Sequence, residues 1–317
     1  MQSLLMKIWR NINEFEARNP VITIGIFDGV HRGHRFLIEE LKKQAKNHKG
    51  ESVVLTLWPH PRLVLNKDTK NLRYLTTIEE KAYLLEKEGV DHLVIIPFTK
   101  AFSTLSSCQF VEDYLVKKMQ IKKLLIGFNH KFGRNREGDY QNLKYCAENF
   151  SFELERLKPV EIEGEKISSS IIRELLSEGE LEKANAFLGY DFFLRGKVVE
   201  GNKLGRKIGF PTANIEPYDE HKMIPKIGVY AVQVEHEGKY FDGMLNIGYR
   251  PTVNFDNFDK TIEVHLIDYH GDMYNAEVKL YFRSFMREEK KFESLEQLSL
   301  QLHSDKARAI EILMDFK

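Results

Sequence analysis

The sequence predicts two unlike domains in one chain: a doubly wound α/β unit with a parallel sheet, then a small antiparallel β-barrel with a terminal helix. Three observations carry this. Apolar strand-like runs alternate with amphipathic helical stretches over residues 21–127, and such alternation calls for right-handed crossovers and a parallel sheet. From Phe192 onward helices nearly vanish and short strand-like runs follow at fairly even spacing with tight connections, as in small barrels. Length permits both, since 317 residues of which 42% are apolar supply core for two domains.

Taken in order, the first strand begins at Val21 and breaks into Gly25-Ile26-Phe27-Asp28-Gly29-Val30-His31-Arg32-Gly33-His34. Its near-continuous apolar character suits a parallel strand covered on both faces. A helix is expected over 35–47, with Phe36, Leu37, Leu41 and Ala45 at helical spacing and Gly50 as its stop. A strand over 52–58 leaves through Pro59-His60-Pro61, whose two prolines predict a rigid, extended exit. Helix 78–87, strand 91–97, helix 108–118 and strand 123–127 complete the alternation, and 152–162 reads as one more strand. A helix opens at Ser168-Ser169-Ser170, a short one covers 181–188, and the boundary between 188 and 191 divides 1–188 from 189–317. Barrel strands are expected over 192–199, 228–236, 239–247, 261–268 and 277–285. The terminal helix would bury Leu295, Leu298, Leu302, Ile310 and Leu313.

Charge narrows the partners. Lys plus Arg equals Asp plus Glu at 47 each, so no global field recruits nucleic acid or an anionic membrane, and phosphate binding has to be local. Small molecules are the expected partners, with self-association left open. Cys108 and Cys146 are too few for a disulfide framework and lack metal-ligand spacing, so reduced thiols are expected. Residues 1–10 lack the apolar core and cleavage site of a signal peptide, and no later run is long enough to span a bilayer. The cytosol is the expected compartment.

Chemistry concentrates in the breaks between elements. The loop after the first strand brings amide donors, a helix N-terminus and the imidazoles of His31 and His34 to one point, which suits phosphate; a plain helix cap would place the same residues there. His60 leaves its strand at the sheet edge where ligands gather, and the fourth strand exits into a second Gly/Asn/His/Arg-rich loop over 127–138. Ser168, Ser169 and Ser170 are candidate caps, with Arg173 about one turn on to neutralise phosphate charge. In the second half Gly201, Lys203, Gly205, Arg206 and Gly209 form a basic flap without Walker A spacing, which excludes a P-loop. Pro211-Thr212-Ala213-Asn214 then reads as a stiff turn offering a hydroxyl and an amide oxygen, hard ligands for magnesium carrying nucleotide phosphates. Glu263 interrupts an otherwise good strand, on one face with Thr261 and His265, either as a solvated glutamate or as a general base. A zinc hydrolase using His31, His34 and His60 is disfavoured, because the histidine pair lacks the i, i+4 spacing and intervening Glu of the helix motif.

These residues carry a family resemblance. Gly25-x-Phe27-Asp28-Gly29-Val30-His31-x-Gly33-His34, Pro59-His60-Pro61, Phe132-Gly133 and Ser168-Ser169-Ser170-x-x-Arg173 resemble the adenylyltransferase module of the prokaryotic-type bifunctional riboflavin kinase/FAD synthetases. Gly205-Arg206-x-Ile208-Gly209-Phe210-Pro211-Thr212-Ala213-Asn214, Asn246-Ile247-Gly248-x-Arg250-Pro251-Thr252 and Glu263-Val264-His265 resemble their kinase module. The resemblance implies magnesium- and ATP-dependent phosphorylation of riboflavin to FMN over 189–317, then adenylylation of FMN to FAD over 1–188 with release of pyrophosphate. It implies Glu263 as kinase base, Thr212 and Asn214 as magnesium ligands, and His31, His34 and Arg173 as the groups stabilising adenylyl transfer. ATP contacts are implied for Gly25, Phe27, Asp28, Gly29, Gly33 and the three serines in the first site. In the second they fall on Gly201, Lys203, Gly205, Arg206, Gly209 and Pro211. Flavin contacts are implied for His60, Pro61, Asn129, Phe132, Asn246 and Arg287. The chain departs from the family pattern at His130, where an aromatic ring is usual. A single-activity nucleotidyltransferase with an appended flavin-binding barrel is the alternative; a non-catalytic flavin binder would have no use for Glu263 or the magnesium turn.

Overall fold

The computed structural model describes residues 5–65, 72–128, 138–158, 161–162, 164–201, 205, 208–249, 260–271 and 273–316. The chain forms two compact units, Met1–Ser169 and Ser170–Lys317.

In the first unit the elements run β1 (Lys7–Trp9), β2 (Val21–Ile24), α1 (Arg32–Asn47), β3 (Ser52–Trp58), α2 (Pro61–Val64), α3 (Ile78–Lys87) and β4 (His92–Pro97). They continue through α4 (Ser107–Phe110), β5 (Lys123–Ile126), α5 (Tyr140–Phe150), β6 (Glu153–Arg156) and the short antiparallel pair β7 (Glu161–Ile162) and β8 (Glu165–Lys166). Among the described residues β1 to β6 form one parallel sheet in the order β1-β4-β3-β2-β5-β6. β2 lies between β3 and β5, so the strand order reverses beside it, and the crevice beyond the carboxyl ends of such strands is where open parallel sheets bind ligands. β2 and β5 are buried along their whole length, as expected of parallel strands covered on both faces. Ile22, Ile24, Val53, Leu55, Val94 and Leu124 pack with Phe110, Leu115 and Leu143 in one core.

The doubly wound sheet therefore follows the sequence expectation, with local differences. The 108–118 helix is α-helical only to Phe110 and continues as a π-helix, Val111–Lys118, where Phe110 stacks on Tyr114 at 5.4 Å. The strand expected over 152–162 stops at Arg156. β1 and α5 lie outside the expectation: β1 is a three-residue edge strand, and α5 buries only Leu143, Cys146 and Ala147, a short apolar stripe. Cys108 and Cys146 are free thiols in contact at 2.8 Å, and burial pushes the Cys146 thiol up to about 12.

The second unit contains α6 (Ser169–Glu178), whose first residue closes the first unit, then α7 (Leu181–Leu188), β9 (Phe193–Val199), β10 (Ala213–Pro217) and β11 (Gly228–His236). β12 (Lys239–Tyr249), β13 (Lys260–Leu266), β14 (Glu277–Arg287) and α8 (Leu295–Met314) complete it. Among the described residues the strands form a closed antiparallel barrel, β10-β13-β12-β11-β14-β9. The stiff turn expected at 211–214 is corrected to the entry of β10, since Ala213 and Asn214 already pair with Val264 and Glu263. Tyr230, Val232, Leu245, Ile247, Val264, Leu280 and Phe282 are fully buried and fill the barrel. Alternate residues Val229, Ala231 and Met244 pack outward with Phe210 against Ala309 and Leu313 of α8.

That helix is not the simple apolar stripe expected, because Leu295 in its first turn is 66% exposed while Asp305 is 3% exposed. The Arg287 guanidinium grips the Asp305 carboxylate through Nε (3.0 Å) and Nη2 (2.6 Å), and Gln301 donates to it at 2.9 Å. Asp305→Ala would strand Arg287 without its counter-charge and should lower the stability of this unit by about 3–5 kcal/mol, measured from urea unfolding; a loss below about 1 kcal/mol would show that the clamp contributes little.

Candidate active sites

The loop after β2 has an unusual backbone. Phe27, Gly29 and Val30 have φ of 50°, 82° and 37°, a strained conformation for a β-branched valine. Asp28 anchors it. Its buried Oδ1 accepts hydrogen bonds from Leu75 N (2.8 Å) and Thr76 N (3.1 Å), while the Thr76 hydroxyl accepts from Gly29 N at 3.0 Å. The Asp28 carboxylate thus faces backbone amides of segment 75–76.

His31 caps α1: its Nδ1 accepts from His34 N at 3.4 Å, so the ring's proton sits on Nε2. The His31 and His34 rings stack at 3.7 Å and 16°. Gly33 makes this possible, because a Cβ there would lie 3.2 Å from the His31 ring; a Cβ on Gly25 would lie 2.9 Å from the Phe27 ring. Burial, then competition with the neighbouring His31 imidazole for a positive charge and the field of Lys81, hold His34 well below the usual histidine range. His31 is thus a helix cap, and the cap also sets two imidazoles at the helix start beside the sheet's switch point.

Ser169 opens α6, and its hydroxyl donates to the Asp28 carbonyl at 2.8 Å. Ser168 directly precedes the helix, Ser170 lies in its first turn, and Arg173 follows Ser169 by four residues on the same helix face. His60 caps α2, with Nδ1 accepting from Arg62 N at 3.2 Å and Pro61 as the first helical residue. The exit is extended as expected as far as His60 (φ −56°, ψ 132°), and a helix then starts at Pro61, which favours this position because its fixed φ is helical and it has no amide to satisfy. Asn129, His130, Phe132, Lys203 and Arg206 lie outside the described residues.

In the barrel, strand register aligns Val199, Asn214, Glu263, Asn246, Val229 and Arg287 in one row across six strands. Directly opposed residues of antiparallel strands project to the same side, and Val229 packs toward α8, so the row runs along the outer face. The Thr212 hydroxyl donates to Glu263 Oε2 at 3.3 Å. Gly201 lies against Asn214, since a Cβ would come 1.9 Å from the Asn214 amide nitrogen; Gly205 would clash likewise with the Phe210 carbonyl at 2.1 Å. Gly209 takes φ 81°, and His265 Nδ1 donates to the Pro211 carbonyl at 2.8 Å, holding the entry to β10. Asn246 donates to Glu289 at 3.4 Å. Arg287 ends the row, its guanidinium engaged by Asp305 and by the Glu288 carbonyl. Among the described residues no group of three or more His, Cys, Asp or Glu could hold a metal. The oxygens of Thr212, Asn214 and Glu263 fit a magnesium ion only if it arrives with phosphates that complete its shell.

Known proteins share both halves. The FAD synthetase family model matches residues 14–171 and the riboflavin kinase family model residues 188–313. A bifunctional riboflavin kinase/FMN adenylyltransferase of Listeria monocytogenes is 40% identical over 293 residues, 92% of each chain. The chain belongs to the bifunctional riboflavin kinase/FMN adenylyltransferase family. A relative of that description from Escherichia coli is 36% identical over 95% of both chains. A solved structure described as a macrolide-efflux protein from Streptococcus pneumoniae superposes with TM-score 0.86 at 32% identity, covering 96% of this chain and 98% of its own. Among the described residues no helix is long and apolar enough to cross a membrane.

For this riboflavin kinase/FMN adenylyltransferase family member, sequence reasoning passed over Thr76, Lys81 and Asp305, and gave His265 no role of its own. Lys81 left a signal: it falls in the apolar stripe of α3 with Ile78 and Leu85, where a solvated lysine has no place. His34 yields a pH prediction. The unfolded chain binds a proton on this ring below about pH 6.5 that the folded chain resists. The stability due to the neutral ring is therefore present above that pH and lost as pH falls through it. His34→Gln should flatten the decline of the urea midpoint between about pH 6.5 and 5; an unchanged slope would show that His34 titrates as in the unfolded chain.

Proposed function

We propose that the chain makes FAD from riboflavin in two ATP-dependent steps, phosphorylation to FMN by residues 189–317 and adenylylation of FMN by residues 1–188. The single observation that carries the reading is that a phosphate-suited site stands in each unit, in the same order as the two family matches: the His31–His34 pair at the switch point and the Thr212–Glu263 pair on the barrel.

In the kinase step Glu263 removes the proton of the terminal ribityl hydroxyl, which attacks the γ-phosphorus of ATP while ADP leaves. Thr212 already directs its hydroxyl hydrogen to Glu263, leaving its lone pairs for a magnesium ion, and Asn214 is pressed into position by Gly201. Bound with ATP, magnesium would neutralise phosphate charge. A barrel that merely held flavin would need neither arrangement. Base catalysis typically contributes about 10² to 10⁴ in rate. Glu263→Gln should accordingly lower FMN formation by that factor while FMN adenylylation continues, read by chromatography of both products; equal loss of the two activities would point to misfolding.

In the adenylylation step the FMN phosphate is itself the nucleophile. It attacks the α-phosphorus of ATP and pyrophosphate leaves, so the protein's task is to hold two anions together. The Nε2–H of His31 is preset as a donor by the cap, and a second donor from His34 costs no ionised imidazole in the resting site. Loss of one preorganised donor commonly lowers rates about 10² to 10³. His31→Ala should let FMN accumulate while FAD formation falls by that factor; wild-type FAD synthesis would remove the assignment. Incubation with riboflavin, ATP and magnesium tests the whole reading: FMN followed by FAD is expected, and absence of both would overturn it.

A further inference from the structure

Lys81 is a buried cation that neither reaction uses. It stands in the first turn of α3, 1% exposed, on a helix start fixed by the reciprocal bonds of Thr77 and Glu80. Its ammonium can donate three hydrogen bonds. It donates a long hydrogen bond, 3.4 Å, to the Thr56 hydroxyl on β3, and that hydroxyl donates onward to the Ile26 carbonyl at 3.3 Å. The Trp58 ring lies 5.7 Å from the ammonium. A methionine would fill the same space without the desolvation of a buried ion, so a charge kept here needs a reason beyond packing. The surroundings supply one. Asp28 is close enough for its carboxylate to favour the charged lysine, and the lysine's field in turn reaches His34.

We propose that Lys81 is a positioning residue for adenylyl transfer, the buried cation that braces β3 and the loop over 25–30, whose field acts on His34. Two links support it. Mechanically, Lys81, Thr56 and Ile26 form a chain from α3 through β3 to the loop, and Asp28 and Thr76 tie the same loop to the residues just before α3. Electrostatically, the charged and titratable groups that act on His34 are His31 from its own turn and Lys81 from α3, while Asp28 acts on Lys81. Burial draws Lys81 down to about 8, so at pH 7 it remains mostly protonated and disfavours a second cation on His34. The neutral imidazole is thereby kept as a directional donor.

The inference rests on the adenylyl-transfer reading of this unit. Its test uses the full chain with Lys81→Met, which keeps length and removes charge, and Lys81→Gln, which keeps a donor for Thr56. FMN→FAD and riboflavin→FMN rates are followed from pH 5 to 9, and the His34 ring is titrated by NMR in each protein. Expected are at least a tenfold loss of FAD formation at pH 7, kinase activity within twofold of wild type, and an upward shift of both the His34 titration and the acid limb of the FAD-forming profile. The kinase activity reports folding, and Lys81→Gln carries the test should Lys81→Met not fold. An unmoved His34 titration in a folded variant overturns the proposal, whatever happens to the rate. A wild-type chain that makes no FAD would instead strike the adenylyl-transfer reading, and the His34 titration would still report on the lysine's field.

Discussion

The buried carboxylate of Asp28 is the interaction on which the first unit's site depends. It accepts from the amides of Leu75 and Thr76, and Thr76 accepts from Gly29. These bonds hold a loop in which a phenylalanine and a valine adopt left-handed backbone, a conformation that would relax without such restraint. With the loop fixed, His31 reaches the cap of α1, Gly33 leaves room for its ring, and His34 stacks on it. A carboxylate at the mouth of the sheet thus fixes the geometry of the loop around it.

The barrel reaches the same end by register. No single hydrogen bond collects Asn214, Glu263 and Asn246; the pairing of β10, β13 and β12 does. A slip of one residue in any of these strands would turn its member of the row into the interior, which the fully buried Leu245, Ile247, Ile262 and Val264 forbid. The apolar packing that closes the barrel is therefore what aligns its polar outer face. At the far end of the row Arg287 binds Asp305 of α8, anchoring the helix that covers part of that face.

The two sites share a logic. In each, glycine permits a close approach that presents a neighbouring polar group: Gly33 beneath the His31 ring and Gly201 against the Asn214 amide. In each, a histidine ring is fixed by one backbone partner, His31 through the amide of His34 and His265 through the carbonyl of Pro211. Polar groups in both units are thus oriented by the fold itself, the kind of preorganisation from which electrostatic stabilisation draws its strength.

Much of this was legible in the sequence. Apolar runs, helical spacing and the change of texture after residue 188 carried the parallel sheet and the barrel, because periodicity and burial are local properties of the chain. The motif residues His31, His34, Thr212 and Glu263 stood out because glycine, histidine and a carboxylate interrupt apolar strands. What only the tertiary structure decided are relations between distant segments: Asp28 with Thr76, Lys81 with Thr56, Arg287 with Asp305, and the row formed by three strands. Each pairs a charged or polar group with a partner 18 to 48 positions away or across a strand register, and no local pattern encodes which buried polar group will meet which partner. The sequence by itself determined the elements and the chemical types at their ends; burial and register decided which of those groups stay at the surface of their unit and which are buried to hold the others in place.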